Sequence, residues 1–250
     1  MLIGRLVVCL AVLVGSIIVP ATAAAEVFEL RTYTTNEGKL DNLNARFRDH
    51  TVRLFNKHGM KSVGYWVPVD EPKSKNTLIY VIKHKSREAA KASWKAFLAD
   101  PEWKKAARDS QKDGPILAKA PDSVFMNATD YSANWKSKDK DEAVFELRIY
   151  RTNKGKLPNL DARFRDNTIR IFNRFGILSV AYWHPVDEPD SKDTLIYIIK
   201  HDSRAAAKKS WPAFLADPEW KKAASESGVG RLAKPPAATY MKATDYSAIR

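Results

Sequence analysis

The sequence predicts an α+β fold made of two β-α-β-β-α-β repeats packed sheet to sheet, and three observations carry that expectation. Residues 27–107 recur at 144–224: Val27-Phe28-Glu29-Leu30-Arg31-Thr32-Tyr33 returns as Val144-Phe145-Glu146-Leu147-Arg148-Ile149-Tyr150, and about three quarters of the aligned positions are identical. Within one repeat, stretches of alternating β-formers and stretches of helical spacing follow one another in the order β-α-β-β-α-β. A sheet covered by helices on one face leaves the other face open, and a second copy on the same chain is available to cover it.

Each element has its own signal. Val27–Thr35 alternates and reads as a strand. Leu40, Leu43, Phe47, Leu54 and Phe55 keep helical spacing through Arg46, Arg48 and Arg53, which makes an amphipathic helix ended by Gly59. Lys61–Val69 is a second strand, Asp70–Asn76 a polar turn, and Thr77–His84 a third strand. Ser86 can cap a helix whose buried face is Ala89, Ala90, Trp94, Phe97 and Leu98. Asp100-Pro101 stops it and starts a short helix over Glu102–Asp109, with proline at the tolerated first-turn position. Ser123–Thr129 is the fourth strand, and the whole is the ferredoxin-like split βαβ order. The chain therefore divides into a leader at 1–25, repeat one at 26–131, a polar linker at 132–142 and repeat two at 143–250. Closure of the two repeats on each other within one chain is expected ahead of dimerisation.

The leader has Arg5 as its positive end, an uncharged apolar run Leu6–Val19, a break at Pro20, and small-x-small cleavage sites ending at Ala23 or Ala25. The run is shorter than the roughly 20 residues a membrane span needs. A periplasmic or secreted protein without stable membrane insertion is expected. Cys9, the sole cysteine, lies in the leader, so the mature chain has no thiol for a disulfide, a cysteine-ligated metal or nucleophilic catalysis. The net charge of +13 is interspersed with acids, as in Arg46-Phe47-Arg48-Asp49. That pattern suits a solvated surface more than a polyanion site, and no nucleic-acid partner is expected of an exported protein.

Alternation also nominates a site. Glu29, Arg31 and Tyr33 share one face of the first strand, and Tyr80 and His84 share a face of the third. Tyr65 lies on the second strand, and the other copy repeats the set as Glu146, Arg148, Tyr150, Tyr182, Tyr197 and His201. These residues are expected to line a cavity between the sheet layers, where arginine would grip an anion and tyrosines would stack on a flat ligand. Phe28, Leu30 and Thr32 would face the helices. The same polar set would equally make an internal ion pair with satisfied tyrosines and a solvent-facing strand-end histidine. No histidine cluster has metal-ligand spacing, and no metal site is expected; a lone histidine leaves only axial haem ligation open as a cofactor reading. No glycine-rich phosphate loop, nucleophile elbow or paired-carboxylate signature is present.

Phe28-Glu29-Leu30-Arg31-x-Tyr33, Gly38-Lys39-Leu40, Phe47-Arg48-Asp49-His50-Thr51, Gly64-Tyr65-Trp66 and Asp100-Pro101-Glu102-Trp103 occur in an order that resembles the NIPSNAP family, twice over nearly the whole mature chain. The resemblance implies a dimeric α+β barrel. It implies no catalytic residue set, although the wider superfamily includes cofactor-free monooxygenases and haem-binding enzymes. Three functions follow as expectations: binding of a small anionic or aromatic ligand, oxygenation with or without haem through His84 or His201, and a protein-interaction module with a basic surface.

Overall fold

The computed structural model describes residues 25–133 and 143–250. The leader up to residue 24 and the linker from 134 to 142 lie outside the described residues. Repeat one contains β1 (Val27–Thr34), α1 (Leu40–Arg46), α2 (Val52–Lys57), β2 (Lys61–Pro68), β3 (Thr77–His84), α3 (Arg87–Ala99), α4 (Pro101–Asp109) and β4 (Asp122–Ala128). Repeat two follows as β5 (Val144–Arg151), α5 (Leu157–Arg163), α6 (Ile169–Arg174), β6 (Leu178–Pro185), β7 (Thr194–His201), α7 (Arg204–Ala216), α8 (Pro218–Glu226) and β8 (Ala237–Ala243).

The local signals act as their chemistry dictates. Ser86 Oγ accepts from the Ala89 amide at 3.0 Å and opens α3, while Asp100 accepts from the Glu102 amide at 2.8 Å and opens α4. Gly59 closes α2 at φ +79°, a left-handed conformation that L side chains rarely adopt. The first long helix is not uniform. A five-residue π-helical turn, Phe47–Thr51, separates α1 from α2, and Phe164–Thr168 does the same in repeat two. Thr51 donates its hydroxyl to the Arg46 carbonyl at 3.1 Å, five residues back, so the wider turn has its own hydrogen bond.

The eight strands close into one barrel in the order β1-β3-β2-β8-β5-β7-β6-β4. The repeats join at two seams, where β2 pairs antiparallel with β8 and β4 with β6. The chain after each fourth strand also crosses over. Ser132 Oγ accepts from the Tyr182 amide and Ser247 Oγ from the Tyr65 amide, both at 2.9 Å. Arg165 forks onto Asp130, and Arg48 onto Asp245.

Leu30, Trp66, Ile79, Val81 and Met126 meet Phe145, Leu147, Trp183, Ile196, Ile198 and Met241 inside the barrel. A second core lies between sheet and helices in each repeat. No helix among the described residues is long and apolar enough to cross a membrane.

Candidate functional site

The barrel corrects one expectation about faces. Phe28 and Leu30 point into the barrel, not toward the helices. Tyr33, Tyr65 and Tyr80 belong to the sheet–helix core of repeat one, and Tyr150, Tyr182 and Tyr197 to that of repeat two. Glu29, Arg31 and His84 share their side, as Glu146, Arg148 and His201 do in the second copy, because both glutamates bond to helix tryptophans. The set therefore does not line a cavity between sheet layers. The physical reason is that the barrel interior is a closed apolar core, whereas the helix side brings hydrogen-bond donors to the buried charge.

Glu29 is 1% exposed and accepts four hydrogen bonds. Arg31 and Ser123 donate to one carboxylate oxygen at 2.5 and 2.7 Å, and Trp94 to the other at 2.8 Å. His84 Nε2 completes the set at 3.0 Å. Burial raises the Glu29 pKa, but the bond to His84, the charge of Arg31 and the remaining donors outweigh it and hold the carboxyl at about 2. Arg31 also lies over the Trp94 ring at 4.5 Å. In repeat two Glu146 is held by Arg148, His201 and Trp211, and its carboxyl is likewise lowered against the pull of burial. Position 123 there is Ala238. His84 and His201 are thus buried and hydrogen-bonded to these glutamates, not strand-end groups in solvent.

The network consumes Arg31, so the cation available to a ligand lies elsewhere. Arg46, the last residue of α1 before the π turn, is only 6% exposed and among the described residues faces no carboxylate. Its side chain donates to Ser110 Oγ at 3.3 Å, its Nε is buried with no partner among the described residues, and its guanidinium stands 5.2 Å from the Trp103 ring centre. Burial pushes its pKa below the usual arginine value, though an arginine stays charged. Beside it lies a cavity of about 230 Å³, walled by Tyr33, Phe47, Phe55, Phe97 and Trp103 and roofed by Gln111 and Leu117. The Tyr80 hydroxyl is buried without a partner, and burial lifts its pKa well above the ordinary value.

Of the residues nominated from the sequence, Tyr33 lines this cavity and Tyr65 and Tyr80 pack in the core around it. Arg46 and its counterpart Arg163 are what sequence reasoning missed. The signal was present: Arg46 sits three residues after Leu43 and one before Phe47, on the apolar stripe, and the duplication keeps it. The histidines do not fit axial haem ligation. Each imidazole Nε2 is engaged by a glutamate, and each Nδ1 is buried against protein. Among the described residues no three His, Cys, Asp or Glu side chains gather to hold a metal ion.

The chain belongs to the NIPSNAP family, whose model matches it twice, at residues 28–133 and 145–248. Its fold is similar to that of a Fusobacterium nucleatum protein described as a candidate monooxygenase. The TM-score is 0.57 at 12% identity, covering 89% of this chain and 94% of that one. It is equally similar to an anthrone oxidase-like protein, with TM-score 0.56 at 12% identity over 88% and 91% of the two chains. A NIPSNAP-like domain protein of Burkholderia xenovorans matches 46% of this chain with 96% of its own, at 15% identity and TM-score 0.38. No functionally curated protein matches the sequence.

Proposed function

We propose that this chain is an exported binding protein for a small aromatic anion, held in the sheet–helix cavity of repeat one. The observation that carries the reading is Arg46. A buried cation without a counter-charge is costly, and an anion in the adjoining aromatic cavity would supply the missing acceptor. The carboxylate or phosphate of the ligand would sit on Arg46, with its ring among Phe47, Phe55 and Trp103. Arg31 and Glu29 would fix the floor of the site without touching the ligand. The leader pattern supports export.

The two barrel neighbours described by oxidase or monooxygenase names bring an oxygenase reading to the same cavity. Such chemistry would proceed without His84 or His201 as base, since neither lines the cavity and both are committed to glutamates. Binding is the reading the geometry favours.

Native mass spectrometry of the protein exported by its own leader tests both parts. The expected result is a chain starting at Ala24 or Glu26 with an extra small mass that leaves on denaturation and is missing from Arg46→Met. An intact leader would contradict export. The same bare mass for both proteins would contradict binding.

A further inference from the structure

The repeats share a sequence but differ around their buried arginines. Arg163, the counterpart of Arg46, is 9% exposed, stands 5.0 Å from the Trp220 ring centre, and has a buried Nε without a partner. It opens on a cleft of about 530 Å³ between α5 with its π turn and α8. In repeat one, Ser110 accepts from Arg46, and Asp109 is neutralised by Lys105 at 2.5 Å and Lys112 at 3.7 Å. Both serines donate to the carbonyl three residues back, Ser110 to Ala107 at 3.1 Å and Ser227 to Ala224 at 2.8 Å, but among the described residues Ser227 accepts nothing from Arg163. The connection from α8 to β8 is also shorter, spanning 227–236 where repeat one uses 110–121, and no lysine stands in the place of Lys112.

Glu226, at the end of α8, is left without an ion pair among the described residues. Glu219 on the same wall is already engaged by Arg170 and Arg174. The cleft thus holds one deep cation, with Glu226 and Asp166, neither in an ion pair among the described residues, on its two rims and Lys222 beside Glu226.

We propose that the repeat-two cleft is a second ligand site of different chemistry, taking a small zwitterion with its carboxylate on Arg163 and its ammonium on Glu226. The inference rests on the reading that the arginine before the π turn anchors an anion. It departs from repeat one in the second charge. The first site is walled by aromatic rings and offers no acid, whereas the second pairs its cation with a carboxylate across an open, polar cleft. The duplicated chain would then carry two non-equivalent sites.

Calorimetric titration of the mature protein with 6-aminohexanoate tests the proposal, with hexanoate as the control lacking the ammonium. The expected result is one saturable equivalent of 6-aminohexanoate, weakened about tenfold or more by Arg163→Met and several-fold by Glu226→Gln, and hexanoate binding about tenfold more weakly. Glu226 is exposed at a helix end, so its variant keeps the test valid if Arg163→Met fails to fold. Equal affinity for hexanoate, no saturable binding, or indifference to Glu226→Gln would overturn the proposal. Benzoate separates the two sites: its loss in Arg46→Met with 6-aminohexanoate retained is expected. Absence of benzoate binding alongside normal 6-aminohexanoate binding would sink the first site alone.

Discussion

Glu29 and Arg46 show opposite ways of burying a charge. Glu29 is surrounded by four donors, and its carboxyl is held at about 2 against an ordinary 4.5. A carboxyl depressed on folding contributes stability that is full above about pH 4.5 and is lost as pH falls toward 2, on the order of 3 kcal/mol for that shift. Glu29→Gln removes the charge and leaves Arg31 without its counter-charge, so it is expected to cost about 3 kcal/mol at neutral pH. Urea unfolding between pH 7 and 2.5 checks this, and the variant should show a shallower acid dependence. Equal slopes for both proteins would mean that the network does not carry the linkage. Arg46 has no such compensation, and its replacement by an apolar side chain of similar length should not lower the melting temperature.

At the level of elements, the duplication provides its own control. Gly64 on β2 leaves room that the Trp66 indole occupies: a Cβ there would stand 2.3 Å from the ring. Repeat two has Ala181 at the same place, with Trp183 packed beside it. Gly64→Ala should therefore displace Trp66 inside the barrel and destabilise the protein by about 1–3 kcal/mol, measured by chemical denaturation. An unchanged midpoint would show that the indole can shift freely.

Much of the element order was legible. Thr77–His84 ends where alternation says it should, and Ser86 caps as a serine before a helical pattern does. The π turn was not legible, because Phe47–Thr51 keeps the residue types of an ordinary helix and its extra width depends on local backbone bonding. Which strand face meets the helices was also hidden. A period of two defines two faces but does not say which is covered by what. The donors that make the polar face tolerable on the helix side, Trp94 and Ser123, lie 65 and 94 residues from Glu29 along the chain.

For the whole molecule, closure within one chain follows from the strand order, and the apolar barrel interior explains why each repeat needs the other. A fragment of residues 26–131 would expose Leu30, Trp66, Ile79 and Val81 on one sheet face. Light scattering after size exclusion should show that fragment as a dimer or larger. A stable, monodisperse monomer of the fragment would contradict the packing. The exposed Arg48–Asp245 and Arg165–Asp130 forks at the seams should contribute little by comparison, because both partners are open to solvent.

Arg46, buried beside the aromatic cavity of repeat one without a counter-charge among the described residues, is proposed to anchor an anion. The decisive measurement is calorimetric titration of benzoate into the protein without residues 1–25 and into its Arg46→Met variant. Saturable binding to wild type is expected, weakened about tenfold or more in a variant that melts no lower. Benzoate binding that is unchanged by Arg46→Met, or absent from wild type, would contradict it.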